Sequence, residues 1–477
     1  MKAYDTVIGL EVHAQLLTRT KIFCGCSTQS GLPPNTSTCP VCTGMPGTLP
    51  VLNRKVVDLG IMLGLATGCR IASRCIFARK NYFYPDLPKG YQITQYEHPL
   101  CEGGTILIET GQGIRRIGIT RIHMEEDAGK TIHDDKAPSS YVDYNRSGVP
   151  LLEIVSEPDI TSSDEAVAYL RELRQILMYL GICDGNMEEG SFRCDANVSV
   201  KPAGSSRLGT RTELKNMNSF RNVQRALQYE IERHIEIRES GGEVVQETLL
   251  WDPSRSVTAS MRSKEESRDY RYFPEPDLVP VEIDTAWIDG VRSGLPELPF
   301  ARRKRFIEQY GLPAYDAGVL TQAKTVADYY EECVRLLDKP KELSNWIMTE
   351  VMRVLNEQGI PITGLNVSPK MLTGLIVLIK KGSISGSMAK EVFAEMAATG
   401  ESAESIVEKR GIGQISDEQE LQSLAQEIIN SHPDEARKYC SGKTGLLGFF
   451  VGMLMKATQG EANPKLASRI MKELLEG

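Results

Sequence analysis

Polar and apolar residues alternate along the first predicted strand, which covers residues 6–16. One face of this strand is apolar, and the other face carries Glu11, His13 and Gln15. Side chains two residues apart on a strand share a face and lie about 6.6 Å apart. Glu11 and His13 therefore point a carboxylate and an imidazole into one cleft, which is a common beginning of a divalent-metal site. A half-solvated edge strand is the alternative explanation of the same pattern.

Short apolar strands and Gly/Pro turns continue to about residue 290, and two helices interrupt them. One helix begins at Ser162, which forms a capping box with Glu165, and ends at Gly181. The other covers residues 219–240, with Gly241 as its terminator. This mixture predicts an α+β domain over residues 1–292.

A linker with Pro296 and Pro299 follows, and beyond it the hydrophobic period changes to that of a helix. The predicted helices lie near residues 300–310, 321–338, 341–358, 369–380, 387–398, 402–410 and 464–475. We therefore expect an all-α helical domain over residues 293–408 and a small helical tail over residues 409–477.

Composition is that of an ordinary globular protein, with 41% hydrophobic and 25% charged residues. The net charge of −8 argues against a broad nucleic-acid coat but leaves room for a local basic surface. Asp5 and Glu11 interrupt the N-terminus where a secretory signal needs an apolar core, and the apolar run at 446–455 is too short to span a bilayer. These features predict a cytoplasmic protein with no membrane attachment, whose 11 cysteines are thiols or metal ligands.

Four cysteines form two close pairs within residues 24–42, and twelve residues rich in Gly, Pro, Ser and Thr separate the pairs. The four are Cys24, Cys26, Cys39 and Cys42. Two thiolate pairs joined by a flexible loop suit tetrahedral Zn²⁺ in a closed structural site. Because the single-residue spacing of the first pair is less common, four reduced surface thiols are the alternative.

Acidic and basic residues cluster in the first domain in a way that surface strands rarely need. The carboxylates are Glu125, Glu126, Asp127, Glu153, Glu188, Glu189 and Asp195, and the interleaved cations are Arg79, Lys80, Arg146, Arg193 and Lys215. Clustered carboxylates are stable together mainly when a cation neutralises them. Carboxylates for Mg²⁺ and fixed cations for phosphate oxygens are the parts that phosphoryl transfer requires. A solvated network of salt bridges is the alternative.

Two segments, 79–93 and 270–277, combine aromatic rings, cations and turn residues. Rings for bases and Lys or Arg for phosphates suit a nucleotide or a single-stranded RNA end, while packed irregular loops are the alternative. Standard nucleotide motifs are missing, since Arg437 stands where a P-loop ending at Lys443 and Thr444 needs Gly. No amidase signature is present either.

Several runs of the first domain resemble one family in family order: the GatB component of the glutamyl/aspartyl-tRNA amidotransferase. The runs are Val7-Ile-Gly-Leu-Glu-Val-His13, residues 79–93, His123-Met-Glu-Glu-Asp-Ala-Gly-Lys130, Glu153-Ile-Val-Ser-Glu-Pro-Asp159, Met187-Glu-Glu-Gly-Ser-Phe-Arg-Cys-Asp-Ala-Asn197, Glu213-Leu-Lys-Asn-Met-Asn-Ser-Phe220 and Asp269-Tyr-Arg-Tyr-Phe-Pro-Glu-Pro-Asp277. Residues 445–456 with Ala462-Asn-Pro464 resemble the family's YqeY-type tail.

The resemblance implies a cradle-like, mixed or antiparallel β catalytic domain that uses ATP to phosphorylate the side-chain carboxylate of Glu on tRNA(Gln) or Asp on tRNA(Asn). Ammonia then displaces phosphate to give the amide. A GatA-type amidase subunit supplies this ammonia, and a small GatC-type subunit completes the heterotrimer. The lack of an amidase signature in this chain agrees with that division of labour.

The resemblance also implies the site residues. Glu11, His13, Glu126 and Asp195 match the catalytic Mg²⁺ site, and Glu125 and Glu153 are further ligand candidates. Strand parity conflicts mildly with this match, because Glu125 and not Glu126 shares the face of His123, so we expect a bulge where the strand ends. The expected contacts to ATP phosphates are Lys80, Arg146, Arg193 and Lys215.

The cysteine quartet matches a zinc knuckle that some family members have. The tail is expected to bind tRNA through Lys443, Lys456, Lys465 and Arg469. Two other functions compete with the amidotransferase: a non-catalytic, zinc-stabilised tRNA-binding subunit, and a self-contained ATP-dependent ligase acting on a small acid.

Overall fold

The computed structural model describes residues 3–133, 139–261, 270–411, 418–458, 462 and 464–476. The chain divides into two compact units, Met1–Ala301 and Arg302–Gly477. The first unit combines a mixed sheet with helices, and the described residues of the second unit form helices and no strand. These architectures confirm the predicted α+β class.

The first unit contains strands and helices in alternation. Its strands are β1 (Tyr4–Gln15), β2 (Arg70–Ile71), β3 (Arg74–Cys75), β4 (Phe77–Asn81), β5 (Tyr91–Gln95), β6 (Cys101–Glu102), β7 (Thr105–Thr110), β8 (Gly113–Glu126), β9 (Lys130–His133), β10 (Ser140–Asp143), β11 (Pro150–Ser156), β12 (Phe192–Pro202), β13 (Thr212–Lys215), β14 (Thr248–Asp252), β15 (Val257–Ser260), β16 (Phe273–Pro274) and β17 (Val281–Glu282). Its helices are α1 (Arg54–Ala66), α2 (Ser163–Tyr179), α3 (Phe220–Glu239) and α4 (Thr285–Ser293).

The large sheet has the strand order β15-β14-β13-β12-β1-β11-β8-β6-β2, with β7 paired to β8. Strand β1 lies between β12 and β11 and is antiparallel to both. The edge-strand alternative for β1 is therefore wrong, while its predicted alternation is confirmed. The buried face of β1 carries Ile8, Leu10, Val12 and Ala14, which join the main core of this unit.

Smaller sheets flank the large one. Strands β16, β4 and β5 form a three-stranded antiparallel sheet, and β9 with β10 and β3 with β17 form two-stranded pairs. The three-stranded sheet contains both ends of the aromatic segment 79–93 and part of the segment 270–277.

Local capping sets the limits of the two predicted helices and confirms them. The Ser162 side chain accepts a hydrogen bond from the Glu165 backbone N–H at 3.2 Å and caps α2. The Glu165 carboxylate accepts from the Thr161 backbone N–H at 2.8 Å, one residue earlier than a capping box requires. Helix α3 starts after Ser219, and Gly241, with φ of +78°, follows its end.

The helices from residue 299 onward enclose two separate apolar cores. They are α5 (Pro299–Tyr310), α6 (Ala314–Leu320), α7 (Lys324–Leu336), α8 (Pro340–Trp346), α9 (Met352–Gln358), α10 (Pro369–Lys380), α11 (Gly386–Thr399), α12 (Ala403–Arg410), α13 (Glu418–Ser431), α14 (Pro433–Cys440), α15 (Leu447–Ala457) and α16 (Pro464–Glu476). A π-helical segment, Ile347–Val351, joins α8 to α9, so the helix predicted at 341–358 is continuous with one wide turn inside it. One core runs from Phe306 to Ile406 and the other from Leu421 to Leu475.

A helix that crosses a bilayer must be both long and apolar. Among the described helices, none combines the length and the apolar character that a membrane span requires.

Candidate active site

Four neighbouring strands place charged side chains in a row on one face of the large sheet. Opposite His13 on β1 stand Arg193 on β12 and Glu153 on β11, and opposite Glu153 stands His123 on β8. Directly opposed residues on antiparallel strands have Cβ atoms about 5 Å apart. Cross-strand register therefore brings together side chains that are distant in sequence.

His13, Glu125 and Glu153 bring three possible metal ligands together. The Nε2 atom of His13 lies 3.4 Å from Glu125 Oε1 and 3.3 Å from Glu153 Oε2. One ligand atom from each residue lies within 4.8 Å of the other two. Carboxylate oxygens with one imidazole nitrogen suit a divalent cation such as Mg²⁺ or Mn²⁺, and the space that these three leave open is available to water or phosphate. The residues present therefore fit a small divalent ion.

Charge controls protonation in this group. Burial opposes the charged form of His13, but the hydrogen bond to Glu153 and the charge of Glu125 outweigh burial and raise the pKa of His13 to about 9. Burial also opposes ionisation of Glu153, yet His123 and His13 hold the pKa of this carboxyl well below its ordinary value. An imidazolium at His13 thus balances the carboxylates. Because an imidazole nitrogen binds a metal only after it has lost its proton, cation binding at His13 would release that proton.

Glu11 and Asp195 lie directly opposite each other, two residues away from His13 and Arg193 on the same face. The Asn197 side-chain amide donates to Glu11 Oε1 at 3.2 Å. Burial is the first cause that raises the pKa of Glu11, and the neighbouring carboxylates add to it. Glu11 and Asp195 thus belong to the polar face, beside the group of His13, Glu125 and Glu153.

Lys215 on β13 extends this face. Its Nζ atom donates to Asp195 Oδ2 at 2.7 Å and lies 2.9 Å from Glu213 Oε1. Burial opposes its charge, but these two carboxylates raise the pKa of Lys215. Lys215 is therefore a permanently charged group between two acids.

Glu126 points away from His13. Its carboxylate pairs with Lys89 and accepts the Ile93 backbone N–H at 2.8 Å. The pairing of β8 with β11 is regular at this end, where Glu125 opposes Leu151 and Glu126 opposes Pro150. The expected bulge at the strand end is wrong, since the register shifts at Val155/Ser156 instead. Regular alternation sends Glu125 to the face of His13 and Glu126 to the opposite face.

Asp127 anchors two of the expected phosphate-binding residues. Its carboxylate lies 3.0 Å from Arg193 and 3.4 Å from Arg146 Nε, and it accepts the Gln15 side-chain amide at 2.9 Å. Burial opposes its ionisation, but the two arginines lower the pKa of Asp127. Arg146 also donates to the backbone oxygens of Ala128 and Gly129 at 3.0 and 2.7 Å.

Lys80, another expected phosphate contact, lies on β4 of the small three-stranded sheet. Its Nζ atom lies 4.8 Å from the ring centroid of Tyr270 and 6.0 Å from that of Tyr82. Its charge is therefore held against aromatic rings.

A cavity of about 520 Å³ opens beside the polar face. Its lining includes Gln15, Lys130, Arg146, Arg193 and Asp195. Glu188 and Glu189, which the sequence also marks, lie on the same lining. This volume is within the range of small-molecule sites, and the lining carries both signs of charge.

Several residues of this region were not assigned roles from the sequence. His123 orients Glu153 through a 3.1 Å contact, Asp127 orders the arginines, and Lys89 neutralises Glu126. Side-chain alternation along β8 puts His123 on the same face as Glu125, and this alternation is the sequence feature from which the role of His123 could have been predicted. Lys89 lies in the segment 79–93 that the sequence marks for its cations, but nothing in the sequence pairs it with Glu126.

The four cysteines of residues 24–42 converge in a loop region. Their Sγ atoms all lie within 4.8 Å of one another, and those of Cys39 and Cys42 are 3.9 Å apart. Tetrahedral Zn–S bonds of about 2.3 Å need sulfur atoms at about this spacing. The hydrogen bond from Cys24, aided by Lys21, lowers the pKa of Cys42 to about 4. The donor set therefore fits Zn²⁺.

The residues expected to contact tRNA lie on α15 and α16, except Lys443, which follows α14. Lys443 and Lys456 are exposed, and Arg469 pairs with Glu418 at 2.6 Å. The side chain of Lys465 lies outside the described residues, as does Asp269 of the first-domain motifs.

Comparison with known proteins covers nearly the whole chain. Residues 6–289 match the family described as GatB/GatE catalytic domain, and residues 328–475 match the family described as GatB domain. The second match begins well before residue 409, where the sequence predicts the tail, and includes parts of both apolar cores beyond residue 302.

Full-length relatives agree with these matches. The chain is 56% identical over 475 residues to the GatB component of the aspartyl/glutamyl-tRNA(Asn/Gln) amidotransferase from Chlorobium phaeobacteroides, with 100% of both chains covered. It is 57% identical over 477 residues to the protein of that name from Geotalea daltonii, covering 99% of this chain and 100% of the relative. For Thermodesulfovibrio yellowstonii the identity is 56% over 473 residues, with 99% of each covered. The chain therefore belongs to the GatB family of aspartyl/glutamyl-tRNA(Asn/Gln) amidotransferase components.

Proposed function

We propose that this chain activates and amidates the side-chain carboxylate of Glu-tRNA(Gln), Asp-tRNA(Asn) or both, using ATP. The observation that carries the proposal is the group of His13, Glu125 and Glu153 on the polar face of the large sheet. Carboxylates that need a cation, with fixed arginines close by, are the parts of a phosphoryl-transfer site.

The chemistry proceeds in two balanced steps. A carboxylate oxygen of the substrate attacks the γ-phosphorus of ATP, the bond to the bridging oxygen breaks, and ADP leaves. Ammonia then attacks the carbonyl carbon of the acyl phosphate, the carbon–oxygen bond breaks, and the departing phosphate takes one proton from nitrogen. The first step is needed because an unactivated carboxylate would have to lose oxide.

The residues divide these tasks by charge. His13, Glu125 and Glu153 would hold Mg²⁺, with Glu11 and Asp195 next to them. A bound Mg²⁺ supplies neutralisation of phosphate charge. Arg146, Arg193 and Lys215 are already ordered by Asp127, Asp195 and Glu213, so they can meet phosphate oxygens with little loss of side-chain freedom. Lys80 is the remaining phosphate candidate, and Glu126, paired with Lys89, stays a candidate outside the metal group.

Other components follow from the family. The ammonia comes from a GatA-type amidase subunit, and a GatC-type small subunit completes the heterotrimer; this chain and its partners work in the cytoplasm. Zn²⁺ at Cys24, Cys26, Cys39 and Cys42 holds the loop of residues 24–42, and misacylated tRNA contacts the tail through Lys443, Lys456, Lys465 and Arg469.

A reconstituted assembly tests the main proposal. The chain, both partner subunits, misacylated tRNA, ATP and glutamine are mixed, and phosphate release and amide formation are measured as each component is omitted. Phosphate release that depends on misacylated tRNA, and that needs no glutamine, assigns activation to this chain. Activity on a free small acid without tRNA would instead support the self-contained ligase.

Variants separate catalysis from binding. Replacing His13 by Ala together with Glu11 by Gln should abolish phosphate release and leave tRNA affinity within about twofold, because the charges removed are not on the tail. Retained phosphate release in this variant would favour the non-catalytic tRNA-binding subunit. Replacing Glu239 by Gln, an exposed acid at the end of α3, is the matched control.

Metal content tests the zinc site directly. We expect one Zn²⁺ per chain by elemental analysis, lost when Cys26 is replaced by Ser and kept when the exposed Cys440 is replaced by Ser. Equal metal content in all three proteins would contradict a zinc site at the quartet.

On the tail, replacing Lys456 by Ala should weaken tRNA binding a few-fold. It should also reduce by about 1 the slope with which the logarithm of the binding constant falls against the logarithm of the salt concentration. An unchanged slope would remove Lys456 from the tRNA contact.

A further inference from the structure

A group of aromatic rings lies beside the proposed metal site and is unused by the mechanism above. The rings of Tyr96 and Tyr272 are stacked, with centroids 4.1 Å apart and planes 3° from parallel. Tyr270 meets Tyr272 edge-on at 5.9 Å, and Tyr82 meets Tyr270 at 6.0 Å. These four tyrosines are called the tyrosine group below.

The small sheet of β16, β4 and β5 fixes the position of this group. Tyr96 follows the last residue of β5, and Tyr272 precedes the first residue of β16. Asn81 fixes the backbone just before Tyr272. Its N–H donates to Tyr270 O at 2.9 Å, and its side-chain amide donates to Arg271 O at 2.8 Å. Arg271 has φ of +42°, a backbone conformation that persists only where its surroundings impose it.

The same sheet connects the tyrosine group to the proposed active site. Thr94 lies on β5, two residues before Tyr96. Its hydroxyl group donates a hydrogen bond to Glu125 Oε2 at 3.3 Å. Burial raises the pKa of Tyr272, and the charges of Glu153 and Glu125 add to this rise. The strand that leads into Tyr96 therefore contacts the Glu125 carboxylate directly.

Exposure and charge at the group suit a planar ligand. Tyr96 is 51% exposed although it is stacked on Tyr272, so a large part of its ring is available. Lys80 lies over Tyr270 at 4.8 Å and brings a positive charge to the edge of the group. Exposed aromatic faces beside a cation are the elements with which proteins stack a nucleobase and meet its phosphate.

We propose that the stacked pair of Tyr96 and Tyr272 is a platform for an adenine base, with the rest of the ligand directed towards Glu125 and Glu153. This inference rests on the proposed function, in which two substrates carry adenine: ATP and the 3′-terminal adenosine of tRNA. Lys80 meets a phosphate oxygen of the nucleotide whose base occupies the platform.

Binding measurements on the full assembly test the platform and identify the source of the base. The probes are ATP, a tRNA transcript ending in CCA, and the same transcript lacking the final adenosine. Tyr96→Ala and Tyr272→Ala should each lower the affinity for the adenine-carrying ligand about 10-fold, since loss of one stacked base interaction is typically worth about 1–3 kcal/mol. The affinities of Tyr96→Phe and Tyr272→Phe should remain within about twofold of that of the natural chain, because the ring is kept.

The pattern of losses decides the outcome. A loss confined to ATP assigns the platform to the nucleotide. If only the affinity for the CCA transcript falls, to that of the shortened transcript, the platform binds the terminal adenosine of tRNA. Losses for both that the Phe variants restore assign the platform to both adenines in turn. The exposed Tyr141 on β10 provides the control Tyr141→Ala, which should alter neither affinity.

Two results overturn the platform: unchanged affinities in both Ala variants, or Phe variants as weak as the Ala variants at equal melting temperature. A separate measurement of turnover in Glu153→Gln keeps the two proposals distinguishable. Normal turnover in Glu153→Gln contradicts the proposed function while the platform stands, whereas lost turnover with unchanged Tyr-variant binding contradicts the platform alone.

Discussion

Two buried groups of histidine and glutamate in the first unit differ in their charge balance. The first is the group of His13, Glu125 and Glu153 on the polar face of the sheet. The second surrounds Glu230 on α3, whose carboxylate is fully buried. Glu230 accepts hydrogen bonds from Thr212, Thr258 and Arg233 at 3.1, 3.1 and 3.0 Å, and lies 3.1 Å from His234 Nε2.

The Glu230 carboxylate has both its hydrogen-bond donors and its counter-charge within the fold. Both of its carboxylate oxygens have donors, and one negative charge faces a guanidinium and an imidazole. The group of His13, Glu125 and Glu153 has two carboxylates beside two imidazoles, since His123 lies 3.1 Å from Glu153. An imidazole is neutral until it is protonated, so these acids reach charge balance only by holding protons or a cation. Buried acids thus occur in both groups, and the charge that the fold leaves unbalanced distinguishes the proposed metal site.

The largest expected effect compares the same substitution in the two groups. Glu153→Gln should lower the rate of phosphate release about 1,000-fold, equivalent to about 4 kcal/mol of transition-state stabilisation, because a charge that positions the cation is lost. Glu230→Gln should leave the rate per folded molecule within about threefold. Similar losses of rate in both variants would show that the charge-balance distinction is wrong.

Stability should respond in the opposite way. Glu230→Ala leaves Arg233 and His234 without their buried acid and should reduce the free energy of unfolding by about 3 kcal/mol. Glu153→Gln loses the attraction of His123 and His13 for the Glu153 carboxylate, but it also removes one of several mutually repelling acids. It should therefore reduce the free energy of unfolding by less than Glu230→Ala does. Urea unfolding followed by tryptophan fluorescence measures both. A Glu153→Gln protein as unstable as Glu230→Ala would make the first group structural too.

Low pH should remove the contribution of the Glu230 carboxylate to the free energy of unfolding. Burial opposes its ionisation, but hydrogen bonds from His234 and Arg233 lower the pKa of Glu230 from 4.5 to about 2. A carboxyl with a lowered folded-state pKa adds stability above its unfolded pKa and loses it as the pH falls through the folded pKa. The difference in unfolding free energy between the natural chain and Glu230→Gln should therefore be about 1–3 kcal/mol above pH 5 and close to zero near pH 2. A difference that is constant over this range would contradict the assigned charge.

The smallest effect is stabilisation by a divalent cation. Mn²⁺ at about ten times its dissociation constant should raise the free energy of unfolding by about 1.4 kcal/mol, since it binds the folded chain only. The rise in melting temperature should disappear in Glu153→Gln and persist in Glu230→Gln. To separate this ion from the zinc site, the experiment uses protein whose Zn²⁺ content has been measured and is unchanged by Mn²⁺. Stabilisation that survives in Glu153→Gln would place the cation elsewhere.

Local sequence signals were sufficient for much of the fold. The Ser162 and Ser219 caps and the following glycines gave the limits of α2 and α3, because capping depends on residues within one turn. Helix α1 was not predicted, since Val56, Val57, Leu59, Ile61 and Leu63 are all buried and leave no narrow apolar stripe. Helices α4 and α6 were not predicted because they are short and lie among Gly and Pro residues.

The sequence by itself determined which face of β1 is polar, because side chains of a strand alternate whatever surrounds them. It also brought the two cysteine pairs within one loop. Only the tertiary structure decided that Glu125 rather than Glu126 joins His13, that Glu153 and His123 stand opposite one another, and that Asp127 orders two arginines. Those contacts depend on the register between strands far apart in the chain, and register is fixed by the packing of the whole sheet rather than by any local pattern.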